Sequence, residues 1–159
     1  MRSSAASDVY KRQGLVLFCK HPFFQAYCDK NMEEHHIKKD YIALVQGHTN
    51  YKNKKIVSNI ARDRHNAKKM IVHPNGKESI SIFNTLKNYK DYSLIQVTIL
   101  TGRKHQIRVQ CASLNHPILN DPLYGGKRID NTGLLLQSHH IQFNDIDITC
   151  PQEKRFIRK

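Results

Sequence analysis

Two arginines, a histidine and two glutamines fall together in Thr101-Gly102-Arg103-Lys104-His105-Gln106-Ile107-Arg108-Val109-Gln110. Arginine carries a planar fork of donors that suits a phosphate or a carboxylate. Free backbone N–H groups at a helix start add to such a site. The chemistry this stretch predicts is the holding of a phosphate. An ordinary solvated helix face uses the same basic residues, so the surrounding elements decide what the stretch is for.

The alternating run Tyr92 to Leu100 reads as a strand that Thr101-Gly102 ends. Arg103 to Asn115 then reads as a short helix. Ile107, Val109 or Cys111, and Leu114 face the core, and Arg103, Gln106 and Gln110 stay on the polar side. His116-Pro117 stops it, because the residue before a proline is pushed out of helical geometry. Upstream, the wholly apolar Gly14 to Cys19 predicts a buried strand. His21 to Ile37 predicts a helix whose apolar face (Phe23, Phe24, Tyr27, Cys28, Met32) belongs to the core. Asp40 to Gly47 reads as a strand, as does Ile56 to Ile60. Arg62 to Met70 is a basic loop, either facing a polyanion or merely solvated, and Pro74-Asn75-Gly76 marks a turn. Ser79 to Leu86 pairs with Tyr92 to Leu100 across a short loop. Leu134 to Phe143 is a strand with Ile146 to Thr149 as its partner. Residues 1–13 show neither apolar periodicity nor a cap; they read as a disordered leader or as a segment foreign to the rest.

The balance of 26 Lys and Arg against 13 Asp and Glu, a net charge of +13, points to a polyanionic partner, nucleic acid before an anionic membrane. No apolar run approaches the roughly 20 residues that cross a bilayer. Cys19, Cys28, Cys111 and Cys150 show no C-x-x-C pairing, which fits reduced thiols in the cytoplasm. His35-His36 and His139-His140 are adjacent pairs, without the i, i+4 spacing of helical metal ligands, so no metal site is expected.

The string TGRKHQIRVQCASLNHPILNDPLYG resembles the T-G-R-x-H-Q-I-R-V … G-H-P-I … D-x-x-Y-G signature of the RluA-type RNA pseudouridine synthases. Lys39-Asp40-Tyr41-Ile42-Ala43-Leu44-Val45-Gln46-Gly47 is similar to that family's K-x-Y-x-A-x-V-x-G motif. The resemblance implies an α/β (α+β) fold, a mixed and largely antiparallel sheet flanked by helices, with the RNA cleft on one face. It implies isomerisation of uridine to pseudouridine in ribosomal or transfer RNA, without cofactor or metal, by a chain taken to be monomeric. It assigns Tyr41 to the target base and Arg108 to a catalytic carboxylate, which a neighbouring cation keeps ionised. Arg103, Lys104, His105 and Gln106 are the substrate-binding candidates. Read from the strand alone, Tyr41 is an ordinary strand aromatic, and Asp121 is a turn or capping aspartate.

The family's carboxylate lies in H-R-L-D-x-x-T-S-G, five residues before a glycine that Gly14 matches. Val9 stands there, and Asp8 is one position off. A one-residue slip on extended chain turns a side chain to the opposite face, so Asp8 is not assigned the role. Residues 14–159 are thus expected to be the C-terminal portion of a catalytic domain, inactive as given and with apolar edges uncovered. The alternative is a non-catalytic RNA-binding or ribosome-associated relative. A histidine-based metalloenzyme has only the histidine count behind it.

Overall fold

The computed structural model describes residues 13–157. The strands are β1 (Gln13–Gly14), β2 (Lys38–Gln46), β3 (Lys54–Arg62), β4 (Met70–Val72), β5 (Lys77–Asn88), β6 (Tyr92–Ile99), β7 (Leu136–Phe143) and β8 (Ile146–Thr149). The helices are α1 (Pro22–Glu33) and α2 (Gln106–Ser113), and a 3-10 turn spans Lys154–Phe156. One sheet runs in the order β1-β7-β2-β6-β5-β3-β4, with β8 also paired to β7. Every pairing is antiparallel except β1 with β7. The mixed, largely antiparallel sheet expected from the sequence is present. β1 and β8 share the outer edge of β7 end to end, the first at Gln137 and Ser138, the second at His140 to Phe143.

β2 lies near the middle of the sheet, and its residues from Asp40 to Val45 are all buried. A strand covered on both faces needs a near-continuous apolar run, which Tyr41-Ile42-Ala43-Leu44-Val45 supplies. It packs with Phe83, Ile95, Val97, Ile118 and Leu135 in the main core. Each such side chain contributes roughly 1.5–3 kcal/mol on burial. The β5–β6 hairpin forms as the alternation predicts, with a register shift between Thr85 and Lys87.

Three expectations are corrected. Only Gln13–Gly14 of the N-terminal apolar run forms a strand; Leu15, Leu17 and Cys19 are half-buried beside α1, while Val16 and Phe18 are exposed. Among the described residues no strand covers the outer side of this stretch, so its alternate side chains stay in solvent. The helix expected over His21 to Ile37 is shorter, starting at Pro22 under an N-cap bond from the Phe23 N–H to His21 Nδ1 (3.3 Å). It ends before His35, which takes a left-handed conformation (φ 62°). Its aromatics are not core: Phe23, Phe24 and Tyr27 are exposed, and Cys28 is the buried apolar residue of the helix.

Candidate active site

Tyr41 sits where β2 meets an irregularity. Asp40 pairs with His140 and Tyr41 with Ser138, so His139 is the extra residue of a bulge on β7. Bulges re-aim side chains and are enriched beside active sites. Tyr41, Ile99, Arg103, His105, Gln106, Ile107, Arg108 and Leu136 line one small cleft with a volume of about 30 Å³. The structure therefore brings together five of the six candidates. Lys104 does not line the cleft and is exposed.

The helix that carries Gln106 and Arg108 starts at Gln106, three positions later than the spacing predicts. His105 adopts a left-handed conformation (φ 55°, ψ 21°) and makes no side-chain cap. Thr101 to His105 is consequently a turn. Gln106 closes it: its Oε1 accepts from the Thr101 hydroxyl (2.9 Å) and the Arg103 N–H (3.0 Å). Its Nε2 donates to the Ile80 carbonyl (3.0 Å) and the Ser81 hydroxyl (2.8 Å). All four hydrogen-bonding positions of this amide are used within the protein. One turn on, Gln110 accepts from Ser81 (2.8 Å) and donates to Ser58 (3.1 Å) and the Ser79 carbonyl (3.3 Å). Neither glutamine is on a solvent face, as the sequence pattern had suggested; both are buried against a ridge of serines on β3 and β5.

Arg108 is 4% exposed and Asp121 1%. The Arg108 Nε donates to Asp121 Oδ2 and its Nη2 to Oδ1, both at 2.7 Å. Asp121 is thus no simple turn residue but the buried counter-ion of Arg108. A lone arginine could not be buried there, because an unpaired charge in the interior costs several kcal/mol. The loop that presents Asp121 is held tightly. The N–H groups of Tyr124 (3.2 Å) and Gly126 (2.8 Å) both donate to the Asp121 carbonyl. A Cβ on Gly126 would stand 1.8 Å from the Ile118 carbonyl oxygen, so only glycine fits.

Tyr124 joins the parts, and the sequence pattern gave it no separate role. Its hydroxyl accepts from the Met70 N–H (2.9 Å) and shares a hydrogen bond with His105 Nδ1 (2.9 Å). Its ring lies 4.8 Å from the Arg108 guanidinium. Burial is the main cause that pushes its phenol above the usual tyrosine pKa. The signal for Asp121 and Tyr124 was present in Asp121-Pro122-Leu123-Tyr124-Gly125, an acid and an aromatic at fixed distance from the arginines. Among the described residues, none that lines the cleft is a carboxylate. Asp8 and Val9 lie outside the described residues, as does the expected leader apart from Gln13. Among the described residues, no three His, Cys, Asp or Glu side chains gather as metal ligands, and no helix is long and apolar enough to cross a membrane.

The sheet and its helices match solved pseudouridylate synthase domains. Against human RNA pseudouridylate synthase domain containing 1 the TM-score is 0.72 at 23% identity, covering 84% of this chain and 62% of that one. Human RNA pseudouridylate synthase domain containing 4 gives 0.67 at 15%, covering 86% and 66%. That likeness is one of fold. The sequence model of the RNA pseudouridylate synthase family matches residues 10–113, and the chain belongs to that family, in its RluA-type branch. It is 39% identical over 159 residues to ribosomal large subunit pseudouridine synthase C of Buchnera aphidicola, covering 90% of this chain and 50% of the relative. It is 38% identical over 115 residues to an uncharacterized RNA pseudouridine synthase of Bacillus subtilis, covering 71% and 38%. The chain spans half or less of the length of these relatives.

Proposed function

We propose that the whole protein isomerises uridine to pseudouridine in ribosomal or transfer RNA, as a monomer in the cytoplasm and without cofactor, and that residues 14–159 are the C-terminal portion of its catalytic domain. The supporting observation is the cleft itself, which sets Tyr41 beside Arg103, His105 and Arg108. The reaction breaks the N-glycosidic bond, turns the base and rejoins it through carbon, so every atom is kept. The target nucleotide must leave its stack at a cost of a few kcal/mol. In this reading Tyr41 packs on the uracil. Arg108, with one donor edge held by Asp121, serves a carboxylate that the whole protein supplies from an H-R-L-D segment. The parallel register of β1 on β7, Gln13 opposite Gln137, favours that source, because Leu136 at the start of β7 lines the cleft. Arg103 and Lys104 reach RNA phosphates, His105 borders the base, and Gln106 acts on the substrate through the turn it holds.

The chain as given is then inactive, because Val9 stands where the family's H-R-L-D motif places the carboxylate that Tyr41 and Arg108 would serve. Purified chain should form no pseudouridine in unmodified ribosomal or transfer RNA transcripts, measured by nucleoside digestion and chromatography. Conversion would contradict this. The missing carboxylate equally favours a second reading, a non-catalytic RNA-binding relative. Sequencing the source DNA upstream of the Gly14 codon separates the two. An open frame reading H-R-L-D-x-x-T-S into Gly14 supports the synthase, and a genomic sequence encoding residues 1–13 as given supports the binder.

A further inference from the structure

We propose that the end of the sheet remote from the cleft carries a second RNA contact, a rigid cationic platform that grips the phosphate backbone outside the target site. It rests on the reading of RNA as the partner. The platform is made by the 47–53 loop with the start of β3 and by the β5–β6 hairpin tip, and presents Lys52, Lys54, Lys87 and Lys90, all exposed. Asp91 is the one acid in residues 47–55 and 84–92. Among the described residues none of these lysines has an ion pair with a carboxylate. Some cations elsewhere are paired, Lys30 with Glu34 (3.8 Å), Lys38 with Asp40 (3.7 Å) and Arg155 with Glu153 (2.8 Å). Lys87 Nζ lies 4.8 Å from the Tyr89 ring and Lys54 Nζ 5.1 Å from the Tyr51 ring. Tyr89 is itself stacked on Tyr92 at 4.9 Å. An aromatic face fixes an ammonium group without cancelling its charge.

A merely solvated turn needs no scaffold, and this one is knitted. The Thr49 N–H donates to the Ser93 hydroxyl (3.0 Å), and Asn88 Nδ2 donates to the Thr49 carbonyl (3.1 Å). Thr85 Oγ1 bonds Thr49 Oγ1 (2.8 Å) and accepts from the Tyr51 N–H (2.9 Å). The Asn53 N–H reaches Asn84 Oδ1 (2.7 Å), and His48 Nε2 donates to the Tyr89 carbonyl (2.6 Å). Cations fixed in this way lose less freedom when they meet a phosphate. α2 links the two regions. Its start borders the cleft, and beyond its end His116 bonds the Gln46 carbonyl (2.8 Å) beside the platform. From Tyr41 to Gln46 along β2 is roughly 17 Å at ~3.3 Å per residue. A strand only a few nucleotides longer than the target reaches both.

The test is fluorescence anisotropy of the full chain with a labelled oligouridylate of 20 nucleotides, titrated at several salt concentrations. Each phosphate contact on a single strand contributes about 0.7 to the slope of log K against log salt. Replacing Lys52, Lys87 and Lys90 together by alanine should lower the slope by about 2. Asp91→Lys should steepen it by about 0.7, which loss of folding cannot imitate. Unchanged slopes in both variants, with the parent binding normally, would overturn the platform alone. A parent chain that ignores oligouridylate, or prefers phosphatidylserine vesicles, would overturn the RNA reading and the platform with it.

Discussion

The two helices invert what their compositions suggest. α1 is rich in aromatics, yet Phe23 is 83% exposed and its neighbours Phe24 and Tyr27 are exposed as well. α2 carries Gln106, Arg108, Gln110 and Ser113 in eight residues, yet Gln106 to Cys111 are buried without a break. What differs is the supply of partners. α1 packs on a small cluster, Cys28 with Ile37, Ile141 and Phe143. α2 is enclosed, with Ile107 and Cys111 in the main core and Val109 against Ile60 and Tyr124. Serines meet its glutamines and Asp121 its arginine. Polar residues are buried when each donor and acceptor is met, and apolar ones stay exposed when nothing covers them.

The comparison is broken most forcefully at the ion pair. Asp121→Asn should destabilise the fold by about 3–5 kcal/mol in urea denaturation, because Arg108 is left buried without its charge partner. Replacing both, Arg108→Met with Asp121→Leu, should recover most of that loss. A cost below about 1 kcal/mol for the single change would mean that water reaches the pair. Gln110→Ala comes next, at about 1–3 kcal/mol, since it strands Ser81 and the Ser79 carbonyl.

A smaller effect is expected on the α1 side, where His140 sits between Asp40 Oδ2 and Asp147 Oδ1, each at 2.8 Å. Lys38 and Thr98 also face Asp40. The bond to Asp40 first, then that to Asp147, raises the His140 pKa against the burial that lowers it. Its folded pKa therefore exceeds the unfolded value near ~6.5. The stabilisation is fully present below that value and is lost as pH rises through the folded pKa. His140→Gln should flatten the pH dependence of melting temperature across this window; an unchanged profile would show that the relay does not titrate there. Phe23→Ser should be the smallest, within about 0.5 kcal/mol, and a loss several times larger would show that a partner covers α1 in solution.

What the sequence made legible follows the same division. The core strands could be read because Tyr41 to Val45 and Tyr92 to Ile99 carry their pattern locally. The candidates that meet in the cleft were legible through the motif. The motif contains Asp121 but not its pairing with Arg108, because the two lie on different elements and Asp121-Pro122 looks like any turn. Gln106 and Gln110 were misjudged because periodicity treats polar as exposed, whereas the serines that bury them come from β3 and β5. The aromatics of α1 were misjudged for the converse reason: an apolar stripe says what would like to be covered, not whether a cover exists.

The single parallel pairing also sets an order of assembly. β5 and β6 can close locally, a hairpin event of about 1–10 μs. β1 must wait for Gln137 and Ser138, more than a hundred residues later in the chain. At a synthesis rate of ~5–20 residues per second that is a delay of roughly 6–25 seconds. β7 also carries Leu136 and pairs with β2. Until it arrives, Tyr41 has no neighbour on that side and the cleft has no far wall. The cleft beside Tyr41 is thus among the last parts of the described fold to form during translation, after the β5–β6 hairpin.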